Sequence, residues 1–104
     1  YRQQKRRRTK EVLRFMRAVI SVVGKDMVGI LAKVSGVCLE YNVNIIDVTQ
    51  TILQDMFTMI MLVDISECRV PFADFSDKMK SLGDTLGMSI HTMHEDIFNS
   101  MHRI

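Results

Sequence analysis

From Arg17 onward the chain alternates short β-branched runs with stretches that place an apolar residue every third or fourth position. Arg17–Gly24 (RAVISVVG) is β-branched and ends in glycine, which predicts a strand. Lys25–Gly29 (KDMVG) predicts a turn, with Asp26 placed to cap the element that follows. Over residues 29–41, Ile30, Val34, Val37, Cys38 and Tyr41 share one helical face, and Asn42 ends that helix. Two β-rich runs come next, Val43–Leu53 and Met56–Ile65. They meet at Gln54-Asp55, which predicts a hairpin even though the usual glycine is missing. Ser66–Pro71 reads as a loop, and Pro71 suits the first turn of a second helix. There Phe72, Phe75, Met79, Leu82 and Leu86 form the apolar stripe, while Asp74, Asp77, Lys78 and Lys80 face water. Gly87 suits the C-terminal cap. Met88–His94 alternates as a fourth strand, and Asp96–Met101 predicts a short helix docking through Ile97, Phe98 and Met101.

The order β-α-β-β-α-β is that of the split βαβ, ferredoxin-like unit. The fold class expected is therefore α+β: a four-stranded antiparallel sheet with two helices on one face and a short C-terminal helix. The face without helices must meet water or a partner. In the third strand both alternating sets, Phe57, Met59, Met61, Val63 and Met56, Thr58, Ile60, Leu62, are largely apolar, and no charge appears before Asp64. A sheet face open to water should read polar. A homodimer is the expected account, and if that face pairs with itself, Ile60→Lys should split it.

Composition narrows the class without naming a function. The chain has 104 residues, 47% hydrophobic and 25% charged, enough for one domain and too few for two. No apolar run approaches the ~20 residues that cross a bilayer, and no secretory leader pattern follows the basic start. Charge is unevenly spread: residues 1–14 hold seven basic side chains and one acid, residues 15–104 seven basic and eleven acidic ones. Residues 1–15 are expected to be a disordered basic arm or an extension, and residues 16–104 the single domain. The arm lacks aromatic residues beyond Tyr1, so nucleic acid is not expected as a partner. Cys38 and Cys68 form no CxxC pair, which argues against a zinc site or disulfide framework. Cytoplasmic location with reduced thiols is the expectation.

Little in the chain resembles catalytic machinery. His91 and His94 stand three apart in a strand, hence on opposite faces, and with His102 are expected at the surface. Cys38 faces the core and should be inert. The nine methionines sit mostly at core positions, as adaptable packing. No catalysis, metal or cofactor is expected. The more suggestive segment is Lys25–Gly29, which leads into a helix N-terminus whose free N–H groups favour a carboxylate or phosphate. Gly29 either lets a ligand approach the backbone or merely permits a tight connection. Asn44 could bond a ligand or satisfy its own turn. Asp47 could meet an ammonium group, pair with Lys25 or Arg17 across a dimer, or stay solvated. By alternation Asn44 and Asp47 point to opposite faces unless the strand bulges. Gln50 is placed to hydrogen-bond within an interface.

Taken together, the element order, GKDMVGIL (Gly24–Leu31) and NVNIIDVTQTIL (Asn42–Leu53) resemble ACT domains. Residues 16–104 are similar to free-standing prokaryotic single-ACT-domain proteins and to each half of the glycine-cleavage repressor type of regulator. The resemblance implies a regulatory module that senses an amino acid or related small carboxylate at a subunit interface. Its ligand would lie near the first strand–helix loop and the start of the second strand, here Lys25, Asp26, Val28, Gly29, Ile30, Asn44 and Ile45. A separate regulated protein would be the downstream partner. The competing expectation is a protein-interaction module without a small ligand.

Overall fold

The computed structural model of the protein describes residues 16–25 and 28–101. The elements are β1 (Arg17–Gly24), α1 (Ile30–Glu40), β2 (Asn44–Leu53), β3 (Met56–Asp64), α2 (Phe72–Leu86), β4 (Ser89–His94) and α3 (Glu95–Met101). The four strands make one antiparallel sheet in the order β2-β3-β1-β4. This is the ferredoxin-like arrangement that the alternation of strand and helix patterns predicts.

Strand periodicity decides what enters the core. Ala18, Ile20 and Val22 pair with Val63, Met61 and Met59, so these alternate residues of β1 and β3 share one face. Against that face lie Ile30, Val34, Val37 and Cys38 of α1 and Phe75 and Met79 of α2. Burying each such large side chain contributes roughly 1.5–3 kcal/mol. The helices stop where the sequence lacks a reason to continue. At the end of α1, Asn42 takes φ 60 and the Val43 N–H reaches back to the Cys38 carbonyl at 2.7 Å. At the end of α2, Gly87 takes φ 68 and the Met88 N–H reaches the Gly83 carbonyl at 2.9 Å. Both closures use a left-handed residue to satisfy carbonyls the helix leaves open.

The sheet's second face is partly covered. Val19 points there and is still only 4% exposed, and α3 packs against β1 and β4. The docking of α3 differs from the expectation: Phe98 is half-buried, while Ile97 and Met101 are exposed. An ion pair anchors the helix start instead, with Arg17 Nη2 2.6 Å from Glu95 Oε2. Among the described residues no helix is long and apolar enough to cross a membrane.

Candidate functional site

A cleft of about 420 Å³ opens where α1 gives way to β2, lined by Leu39, Asn42, Val43, Asn44, Asp64, Ser66 and Glu67. Its position follows from pairing: the start of β2 meets the end of β3, with Asn44 opposite Asp64. The walls are tied together. The Asn42 side-chain amide donates to the Glu67 carbonyl at 3.1 Å, and the Arg69 N–H donates to the Tyr41 carbonyl at 2.9 Å. Asp64 Oδ1 accepts from the Ser66 N–H at 2.8 Å, turning the loop back beside the strand.

The lining carries two carboxylates, two carboxamides and a hydroxyl, and no cationic side chain. Leu39, 81% exposed, supplies an apolar wall. Such a surface accepts hydrogen bonds from an ammonium group and shelters an alkyl chain. It holds no nucleophile–base pair, and among the described residues no cluster of three metal-ligating side chains forms.

A bulge shapes this end of β2. Ile45 pairs with Val63 and Asp47 with Leu62, so Ile46 is an extra residue without a partner. Asn44 and Asp47 consequently share the sheet face turned away from α1 and α2, where strict alternation would separate them. Asp47 Oδ1 accepts from the Val48 N–H at 2.9 Å. Ile45 turns to the helix side, opposite Val63.

The other half of the expected site lies at the far end of the sheet. Gly24 pairs with Phe57, and Phe57 with Ile52, so the Lys25–Gly29 loop leaves the sheet near the end of β2. Asn44 is seven strand steps away, on the order of 20 Å. Within one chain the two halves do not meet. Gly29 caps α1 with φ 72, and a Cβ there would meet nothing within 4 Å, so glycine serves the backbone angle and leaves open space above it. The Lys33 N–H closes the first helical turn on the Gly29 carbonyl at 3.0 Å. Lys25 and Val28 are exposed. Ile30 is 2% exposed and belongs to the core, so only its backbone can face a ligand. Asp26, the basic arm and His102 lie outside the described residues.

The remaining candidates resolve into structure. His91 is exposed and shares a 3.0 Å hydrogen bond with Ser89. His94, on the opposite face, is half-buried and stacks on Phe72 with ring centroids 4.1 Å apart, so it is not a free surface histidine. Gln50 Nε2 donates to Met59 Sδ at 3.8 Å. Leu39, Asn42, Asp64, Ser66 and Glu67 were not singled out by sequence reasoning as site residues. The available signal is the cluster of polar residues Asp64, Ser66 and Glu67 where an apolar strand ends, at the sheet end where β2 begins.

Exposed apolar side chains gather at both ends of β2 and of α1. Val28, Leu31, Ile52, Leu53 and Met56 lie at the loop end, and Leu39, Ile45 and Ile46 at the cleft end. On α1, Leu31, Ser35 and Leu39 follow one another at four-residue steps and so share a stripe. Because Leu39 and Asn44 line the same cleft, that stripe faces the β2 side.

A profile of the ACT domain matches residues 16–93. A UPF0237 protein of Methanocaldococcus jannaschii is 49% identical over 88 residues, which cover 85% of this chain and 98% of the relative. Among solved structures, an ACT domain protein from Streptococcus pneumoniae superposes with a TM-score of 0.70 at 40% identity, covering 80% of this chain and 93% of that one. A protein described as a glycine cleavage system transcriptional repressor superposes with a TM-score of 0.63 at 25% identity, covering 73% of this chain and 43% of that one.

Proposed function

Since the chain belongs to the ACT domain family, whose domains are regulatory ligand-binding modules, we propose that it senses a small amino acid at a site completed by a second copy of itself. One observation supports this reading: the candidate residues fall into two groups at opposite ends of the sheet, the loop after β1 and the start of β2, and β2 is an edge strand. If β2 pairs antiparallel with β2 of a second copy, Asn44 of one lies near Leu53 of the other. The cleft of one subunit then faces the loop end of its partner, and the two apolar clusters meet each other twice across a two-fold axis. Asp64 and Glu67 would receive the ligand's ammonium group, and the start of the partner's α1, with its open surface at Gly29, its carboxylate. Ligand occupancy would bias subunit association, and a separate protein would read the result. The module performs no chemical step of its own and works in the cytoplasm.

The test pairs light scattering with a thermal screen of the twenty amino acids. The expected mass is twice that of the 12.0 kDa chain. A ligand at a hundredfold excess over its dissociation constant should add about 2.7 kcal/mol of stability, which raises the melting temperature by roughly 10 °C or more in a domain of this size. A monomer at tens of micromolar removes the shared site. A dimer that no amino acid stabilises favours the interaction-module reading, in which the β2 edge serves protein contact alone.

A further inference from the structure

We propose that Cys38 and Cys68 form a modification site: a dithiol that a hydroperoxide converts to a disulfide, stapling the end of α1 to the loop between β3 and α2. Both cysteines are free thiols, Cys38 buried and Cys68 half-buried. Cys38 belongs to the core cluster and Cys68 packs against it. Backbone ties bring the two segments together. Cys68 is flanked by Glu67, whose carbonyl accepts from the Asn42 amide at 3.1 Å, and by Arg69, whose N–H donates to the Tyr41 carbonyl at 2.9 Å. That same turn closes on the Cys38 carbonyl through the Val43 N–H at 2.7 Å. Burial first, then the charge of Cys68, pushes the Cys38 thiol up to about 11.

The difference in burial assigns the order of events. Cys68 reaches solvent, so its thiolate attacks the terminal oxygen of the hydroperoxide. The O–O bond breaks, the alcohol leaves with a proton, and Cys68 becomes a sulfenic acid. The Cys38 sulfur then attacks the Cys68 sulfur and expels hydroxide, which takes the Cys38 proton as water. Two thiols and one hydroperoxide yield one disulfide, one alcohol and one water. The bond would fix the wall between Leu39, Asn42 and Glu67, three residues of the cleft. The site stands whether or not the cleft takes an amino acid.

The full chain is treated with hydrogen peroxide, quenched under denaturing conditions and weighed without reductant. The expected result is a monomeric chain lighter by about 2 Da, one cross-linked peptide pair joining Cys38 to Cys68, and amide exchange across residues 38–43 and 65–70 slowed about tenfold. Cys68→Ser should abolish the mass loss, and Cys38→Ala should leave Cys68 heavier by about 16 Da or joined to another chain. Cys68 is half-buried, so its serine variant keeps the test readable if the core variant does not fold. No reaction in the wild type, a gain of about 32 Da at Cys68 with Cys38 untouched, or disulfides only between chains would overturn the proposal.

Discussion

β1 and β2 are similar as sequence and opposite as structure. Both are rich in β-branched residues and begin with a polar one, although β2 also carries Asp47, Thr49, Gln50 and Thr51. Yet β1 has neighbours on both sides and buries Ala18, Val19, Ile20 and Val22, whereas β2 has β3 alone and exposes nine of its ten residues. Burial in a strand is set by what lies beside it, which is a long-range property of the sheet. The apolar side chains of β1 stabilise the monomer. Most of those of β2 stay exposed, on an edge that among the described residues pairs with no strand but β3, and such an edge invites association.

The largest expected effect separates the two strands by stability. Ile20→Ala, at a fully buried site, should cost about 2–5 kcal/mol in urea unfolding, while Ile52→Ala should cost under ~1 kcal/mol when the protein is dilute. Equal losses would erase the distinction between strands. A second experiment separates them by association. Leu53, 74% exposed, should on replacement by lysine raise the dimer dissociation constant at least ~100-fold, about 2.7 kcal/mol, with circular dichroism unchanged. If the proposed β2–β2 pairing holds the dimer, Ile60→Lys, on the half-buried open face, should leave the dimer mass intact. The reverse outcome in light scattering would move association from the β2 edge to the sheet face.

A smaller effect comes from the core beneath α1. Burial, and then the Cys68 charge, pushes the Cys38 thiol up from 9.0 to about 11, against a backbone hydrogen bond that pulls it down. The unfolded thiol ionises first as pH rises. Stability from the neutral buried thiol is therefore complete below pH 9 and declines between pH 9 and 11, by on the order of 1.4 kcal/mol at pH 10. Urea midpoints measured from pH 8 to 10.5 should fall more steeply for the wild type than for Cys38→Ala. Parallel slopes would show that Cys38 does not govern this region.

Local signals in the chain reach as far as the elements and their inner faces. The spacing of Phe72, Phe75, Met79 and Leu82 with Gly87 behind them defines α2, because helix periodicity and left-handed closure are properties of neighbouring residues. The split of Ile30, Val34, Val37 and Cys38 from the rest of α1 is legible for the same reason. The cleft is not. Asn42 is readable as a helix stop, but its amide meets Glu67 only because the β3–α2 loop folds against that turn. The hairpin shows the same limit: Gln54 takes φ 57 where a glycine would be expected. The resemblance to ACT domains names both groups of candidate residues, and only the strand order shows that they stand at opposite ends of the sheet.

The bulge at Ile46 has a consequence for how chain length can vary. Asn44, Ile45 and Asp47 already sit opposite Asp64, Val63 and Leu62, so removing Ile46 would close the ladder without shifting any other pairing. Every position downstream would keep its side of the sheet, and the turn before it would keep its geometry. Elsewhere in the strand a one-residue deletion reverses inside and outside for all that follows. Ile46 is thus a silent joint: the place in β2 where the gene can lose a codon and the fold can ignore the loss.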